Sequence, residues 1–273
     1  LNLVVGPGST VGEQLLADQR IGFYTFTGSP PVGERLRQAI GLRRCTLELG
    51  SNSATIVHED ADLDKAATRC ASAAFAHAGQ VCISLQRLLV HERVWDAFQE
   101  KFLAQVDRLK AGDPMDPETD IGPMISEAEA RRAEAWIEEA RSQGARVVLG
   151  GHRQGLMLEP TVLTDVNDQM KVVCEEVFAP VVTLVPFRDL NEAIDRVNVS
   201  KFGLQAGIFT GSIHAAMEAA RRVEVGGLMI NDTSIFRADL MPYGGVKLSG
   251  SGREGPRYAM EEMTETRLVV MDL

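Results

Sequence analysis

Phe75-Ala-His-Ala-Gly-Gln-Val-Cys-Ile-Ser84 closes an apolar helical run at Gly79 and sets Cys82 just beyond the break. A thiol so placed reaches past a helix end into whatever cleft lies there. Cysteine is also the side chain that a small downward pKa shift turns most readily into a nucleophile at neutral pH. By itself, a lone cysteine among apolar residues is more often a small core hydrophobe. Its neighbours in sequence change that balance. Upstream, Thr46-Leu-Glu-Leu-Gly-Ser-Asn52 sets a single carboxylate, Glu48, among strand-forming apolar residues, where a charge is costly unless it is paired or used. An ion pair within a sheet is the plainer alternative. Downstream follow Glu175-Glu-Val-Phe-Ala-Pro180 and the glycine-rich Met241-Pro-Tyr-Gly-Gly-Val-Lys-Leu-Ser-Gly250.

Bulk properties narrow the class. The 273 residues suffice for one large domain or two unequal ones. A formal charge of −10, from 28 basic and 38 acidic residues with the basic ones dispersed, opposes a nucleic-acid or anionic-membrane role. No apolar run is long enough to span a bilayer and no N-terminal signal pattern is present. Cys45, Cys70, Cys82 and Cys174 show neither paired nor metal-type spacing, so they are expected as free thiols in the cytoplasm, with no metal site.

Along the chain, strands and helices alternate, which reads as an α/β fold with parallel sheets. Leu3–Val5 is expected as a strand, turned by Gly6-Pro-Gly-Ser-Thr-Val-Gly12 into a helix near Glu13–Ala17. That turn superficially suggests a phosphate-cradling loop, although its spacing is not the dinucleotide fingerprint and a plain strand-to-helix turn is the simpler reading. Ser29 is placed to cap a helix over Pro31–Ile40. Strands follow at Cys45–Leu49, Ala54–His58 and Arg87–His91. A long helix runs from Asp62 to Ala78, capped by Asp60 or Asp62, and a charged helix covers Glu127–Gln143. The end of the chain, Arg267–Met271, reads as an edge strand that either completes its own sheet or pairs with a second subunit.

The four central stretches in this order, together with Phe26-Thr-Gly-Ser29 and Ser249-Gly-Ser-Gly-Arg-Glu-Gly255, resemble the aldehyde dehydrogenase superfamily. The resemblance runs from the first residues to the last but covers only the C-terminal portion of such an enzyme. It implies the second half of a Rossmann-like dinucleotide-binding domain over residues 1–50. An α/β catalytic domain over 51–263 and a terminal oligomerisation strand over 264–273 would follow. It implies an NAD- or NADP-dependent enzyme acting on a small aldehyde, as a homo-oligomer. Cys82 would be the nucleophile and Glu48 the base that activates water. Gly6, Gly28, Ser29, Val32, Leu49, Glu176 and Phe178 would lie at the cofactor, Glu176 accepting the ribose hydroxyls and Phe178 supporting the nicotinamide. Asn231 matches an asparagine near the catalytic region, and the Cys82 N–H would form half of an oxyanion hole.

Other positions depart from the family pattern. Ser51 replaces a glycine beside the nicotinamide, Ala54 a frequent proline, and His77 a common asparagine. Ile235-Phe-Arg-Ala-Asp-Leu-Met-Pro-Tyr243 looks like the subgroup that handles lactaldehyde and phosphonoacetaldehyde. There Arg237 would hold an anionic tail or else pair with Asp239 or another neighbour. Val81 stands where phosphosugar-type members carry arginine, and Glu48 opposes the coenzyme-A-acylating branch. The isolated chain is expected to be inactive as a dehydrogenase. A non-catalytic binding or oligomerisation role, and a cofactor-independent cysteine esterase, are the alternatives.

Overall fold

A computed structural model describes residues 1–273. The smaller of two main sheets pairs Phe23–Thr27 with Arg44–Glu48 in parallel, Thr27 lying opposite Glu48. The helix Pro30–Ile40 makes the crossover between them. Prolines at its first two positions fit the first turn, where an N–H would go unpaired, and Gly41 at φ 62° ends it. Leu36 and Ile40 bury against Tyr24, Leu47 and Leu49. Gly33 lets the helix sit close, since a Cβ there would lie 2.6 Å from the Leu49 side chain.

The larger sheet has seven strands in the order Gly227–Ile230, Gln205–Phe209, Ala54–Val57, Arg87–His91, Val181–Phe187, Thr161–Thr164 and Arg146–Leu149. All neighbours are parallel except the last pair. Its inner strands are buried at every position except Pro186 because helices cover both faces. On one side lies the main core, with the helices Leu63–Phe75, Trp95–Val106 and Glu127–Ser142; on the other, Leu190–Asn198 and Ile213–Arg222. The Glu127–Ser142 helix is solvated on one face only, because Ala130, Ala133, Ile137 and Ala140 enter the core.

Two expected strands do not form. Leu3–Val5 is exposed and unpaired ahead of a helix that spans Gly8–Ala17, and Arg267–Met271 extends from the end of the Pro256–Glu262 helix without a partner strand. A strand needs a neighbour to accept its N–H groups, and the chain offers none beside either segment. The reading in which the terminal strand completes its own sheet is therefore wrong. Asp62, not Asp60, caps the long helix by accepting from the Lys65 N–H. That helix ends at Phe75, earlier than expected. His77, Ala78 and Gly79 then take left-handed φ values of 52°, 55° and 68° and swing the chain toward Cys82.

Gly79 is pressed onto the Glu175–Pro180 turn so closely that an added Cβ would sit 2.0 Å from the Ala179 carbonyl oxygen. Gly155 has a similar φ of 60° and open space around it. Gly79→Ala should therefore add a backbone clash to the strain of about 1–2 kcal/mol that a left-handed alanine bears. We expect Gly79→Ala to lower Tm by roughly 6 °C or more and Gly155→Ala by about half as much. Equal falls in thermal melting would contradict the contact.

Candidate active site

The smaller sheet, the thiol loop and the Glu175–Pro180 turn converge on one cleft of about 550 Å³. Gly28, Ser29, Glu48, Leu49, Cys82, Glu176 and Phe178 all line it. Five of the seven expected cofactor positions and both expected catalytic residues thus meet in one cleft, from segments far apart in sequence.

Each is positioned by local hydrogen bonding. Glu48 ends its strand between two partners: the Gly28 N–H donates to the Glu48 carbonyl at 3.1 Å, and Gly250–Ser251 pairs antiparallel on the other edge. Gly250 is required there, since a Cβ would lie 1.9 Å from the Leu47 carbonyl oxygen. Buried Ser249 clamps the exit of the strand by donating its hydroxyl to Gly50 O at 2.7 Å and accepting from the Gly203 N–H at 2.9 Å. Gln86 holds the Glu175–Pro180 turn, donating to the Val172 and Glu175 carbonyls and accepting from the Val177 N–H. Gln80 donates to Pro123 O and accepts from the Ile125 N–H, fixing the thiol loop to the next segment.

Glu48 is 4% exposed and neither carboxylate oxygen has a hydrogen-bond partner, which rules out the intra-sheet ion pair. Burial pushes its pKa up to about 8. Nearby Glu254 adds to that shift, while Arg253 and Arg237 oppose it. Cys82 is half-buried and opens on the cleft rather than into packed hydrocarbon. Burial raises its thiol pKa, and Glu176 and Glu48 add to the rise. A hydrogen bond from Tyr243 and the thiol's own backbone N–H pull the other way. Apart from its own thiol, the Cys82 N–H has no acceptor in the protein, which leaves it available to a carbonyl oxygen.

Glu176 points into the cleft while its neighbour Glu175 pairs with Lys201. One Glu176 oxygen accepts from the Ser51 N–H at 2.8 Å, and burial raises its pKa. Gly50 leaves room for it; a Cβ there would lie 2.2 Å from the carboxylate. Phe178 is 40% exposed at the mouth, held at φ 50°. Ser51 is buried and turns its hydroxyl to Ser53 at 3.1 Å.

The expected cap at Ser29 is corrected. Its side chain makes no capping bond: Pro30 and Pro31 have no N–H to give, and the Val32 and Gly33 N–H groups donate to the Ser29 carbonyl instead. The hydroxyl is thereby left free at a helix N-terminus, where an anion is favoured. Val32 lies in an adjoining groove of about 480 Å³ between the Gly8–Ala17 and Pro30–Ile40 helices, lined also by Leu15, Leu16 and Phe26. Gly6 lines neither space; it permits the turn before the first helix, where a Cβ would meet Val11 at 2.7 Å.

Asn231, at φ 57°, accepts from the Thr210 N–H and shapes the turn after a strand, away from the cleft. Arg237 pairs with Glu254 at 2.5 Å, not with Asp239, and its guanidinium lies 4.0 Å over the Tyr243 ring. His77 is exposed on a neighbouring hollow and makes no bond to the thiol. Its left-handed φ explains why a histidine can stand there, since His, Asn and Asp tolerate that region. Sequence reasoning missed Tyr243, whose hydroxyl lies 3.3 Å from Cys82 Sγ. Its one signal was a phenol inside a glycine-rich loop.

Comparison with known proteins agrees with this geometry. The model of the aldehyde dehydrogenase family matches residues 1–269. The chain is similar to a 3-sulfolactaldehyde dehydrogenase of Priestia megaterium, at 53% identity over all 273 residues and 57% of that protein. Aldehyde dehydrogenase 21 of Physcomitrella patens, solved with its reaction product succinate, superposes with a TM-score of 0.93 at 42% identity, over 95% of this chain and 54% of that one. The glyceraldehyde-3-phosphate dehydrogenase of Methanocaldococcus jannaschii, solved with NADP, gives 0.93 at 41% identity, over 96% and 57%. The chain thus spans little more than half the length of the relatives it matches.

The orphaned carboxyl makes a direct prediction. A protonated-carboxyl infrared band, absent in Glu48→Gln, should persist at neutral pH and fade with a midpoint near pH 8, because Glu48 is neutral below that value and charged above it. A band already lost by about pH 6 would contradict the buried, unpartnered placement.

Proposed function

The chain belongs to the aldehyde dehydrogenase family, and from that premise we propose that it carries the nucleophile and base of an enzyme that oxidises a small anionic aldehyde to its carboxylic acid with NAD or NADP. The observation that carries this reading is a single cleft holding a thiol, an unpartnered carboxyl and the Glu176–Phe178 pair. We read residues 1–50 as part of the dinucleotide-binding domain and 51–263 as the catalytic domain.

The residues present fit the cofactor. Ser29 offers a free hydroxyl and a helix N-terminus to the pyrophosphate. The groove beside Val32 suits a flat apolar ring, and the second Glu176 oxygen, which makes no bond, suits a ribose hydroxyl. When bound, the nicotinamide supplies a hydride acceptor.

Cys82 as thiolate adds to the aldehyde carbon, and the carbonyl electrons move to oxygen, which meets the Cys82 N–H. The resulting thiohemiacetal loses its C–H as hydride and becomes a thioester. Glu48 then takes a proton from water as it attacks the thioester carbon, the C–S bond breaks, and the acid leaves with the thiol restored. The ionised form takes this proton: it is the minor form at neutral pH for a carboxyl that titrates near 8, but a stronger base than an ordinary carboxylate.

Two features support an anionic substrate. Arg237 keeps a half-exposed guanidinium beside Tyr243. Relatives are named for sulfolactaldehyde and glyceraldehyde 3-phosphate, or were solved with succinate, each with a charged group away from the reacting carbon, while others are named for the neutral lactaldehyde. The exposed Leu268–Met271 run is taken as a strand that pairs with a second copy. The free thiols fit the cytoplasm.

Cys82→Ser should reduce aldehyde-dependent NAD(P)H formation to background in the protein that contains this chain, and comparable turnover would end the assignment. Arg237→Met should raise KM roughly 10-fold or more further for an anionic aldehyde than for a neutral aldehyde of the same length; equal effects on both values of KM would remove Arg237 from the substrate site. The 273-residue chain by itself leaves Leu3, Val4, Val5 and Leu15 exposed. We expect it to form little NAD(P)H, and robust formation would contradict that.

A further inference from the structure

Tyr243 is 3% exposed, and its ring packs with Ile83 and Leu204 behind the thiol loop. Its backbone is fixed from both directions by Glu254, whose N–H donates to Tyr243 O at 2.6 Å and whose carbonyl accepts the Tyr243 N–H at 3.2 Å. The hydroxyl of this held ring has one partner in the protein, Cys82 Sγ at 3.3 Å. A buried phenol stays protonated, so toward a sulfur that gains charge it can act only as a donor. Donation to a charged acceptor is roughly twice as strong as donation to a neutral one. The bond therefore favours the thiolate over the thiol.

The guanidinium of Arg237, pinned by Glu254 at 2.5 Å, lies 4.0 Å over the same ring. A cation on the ring face draws electron density from the ring and strengthens the O–H as a donor. No other side chain donates to Cys82 Sγ.

We propose that Tyr243 is a catalytic residue of this chain: its hydroxyl donates to the Cys82 sulfur, aims it at the cleft and stabilises the charge that forms there, with Arg237 reinforcing the donation through the ring. This rests on the reading of Cys82 as the nucleophile. A tyrosine that merely filled space would leave the chemistry of the thiol unchanged when its oxygen is removed.

The test needs neither cofactor nor substrate. The rate of Cys82 alkylation by iodoacetamide is followed against pH, with peptide mass mapping to separate Cys82 from Cys45, Cys70 and Cys174. Tyr243→Phe should move the midpoint of the profile upward by about one pH unit, the size expected for a lost hydrogen bond to a charged group. Arg237→Gln should move it in the same direction by less. Replacing Tyr243 by a fluorinated tyrosine, which keeps the ring and makes the hydroxyl more acidic, should move it downward and serves if the phenylalanine variant does not fold. An unmoved profile in the folded variants, or a downward shift in Tyr243→Phe, overturns the proposal. Turnover surviving in Cys82→Ser would instead overturn the nucleophile assignment and leave the profile comparison intact.

Discussion

The site depends on one contact between two stretches of backbone. Gly79 meets the Ala179 carbonyl at a separation that no side chain tolerates, and three successive left-handed residues deliver it there. This brings the Cys82 loop against the turn that carries Glu176 and Phe178. The buried Gln86 side chain fastens the far side of that turn through three hydrogen bonds to its main chain, so a backbone contact and a buried amide together set the walls of the cleft. Left-handed backbone is costly for residues other than glycine, and strain of this kind collects where a fold must aim a reacting group.

Glu48 is governed by a second close approach. The Gly250–Ser251 strand lies on its backbone with no room for a Cβ, and Ser249 bonds both Gly50 and Gly203. The glycine-rich loop thus seals the carboxyl from solvent and from partners. Burial is what raises its pKa, and a raised pKa is what makes a carboxyl useful as a base for water. The same loop continues into Tyr243 and Glu254, so residues on one return segment touch both the thiol and the surroundings of the base.

Much of this was legible in the sequence, and the reasons for the rest are physical. Glu48, Cys82, Glu176 and Phe178 lie in short motifs whose residue types are dictated by chemistry, and the structure places all four in one cleft. The α/β alternation and the strands of the seven-stranded sheet were also readable, since buried parallel strands leave continuous apolar runs, whereas two-residue strands such as Gly250–Ser251 were not. Tyr243 was not, because nothing in the spacing reveals that a hydroxyl will meet a sulfur 161 positions away. Ser29 looked like a cap because capping residues precede helices; two prolines removed the first N–H groups and the next two donate to its carbonyl instead of its hydroxyl. Arg267–Met271 has the composition of a strand, but composition does not say where a partner strand is, and none is present in the same chain.

The central claim is that Cys82 takes up an acyl group which Glu48 then helps water to remove, and that sequence of events can be watched without cofactor. An activated ester such as p-nitrophenyl acetate should acetylate Cys82, and intact mass with peptide mapping would locate the group. The account predicts that the adduct turns over in the unaltered chain and persists on Cys82 in Glu48→Gln, with release slowed about 100-fold or more. An adduct on another residue, or release from Glu48→Gln at the unaltered rate, would contradict it.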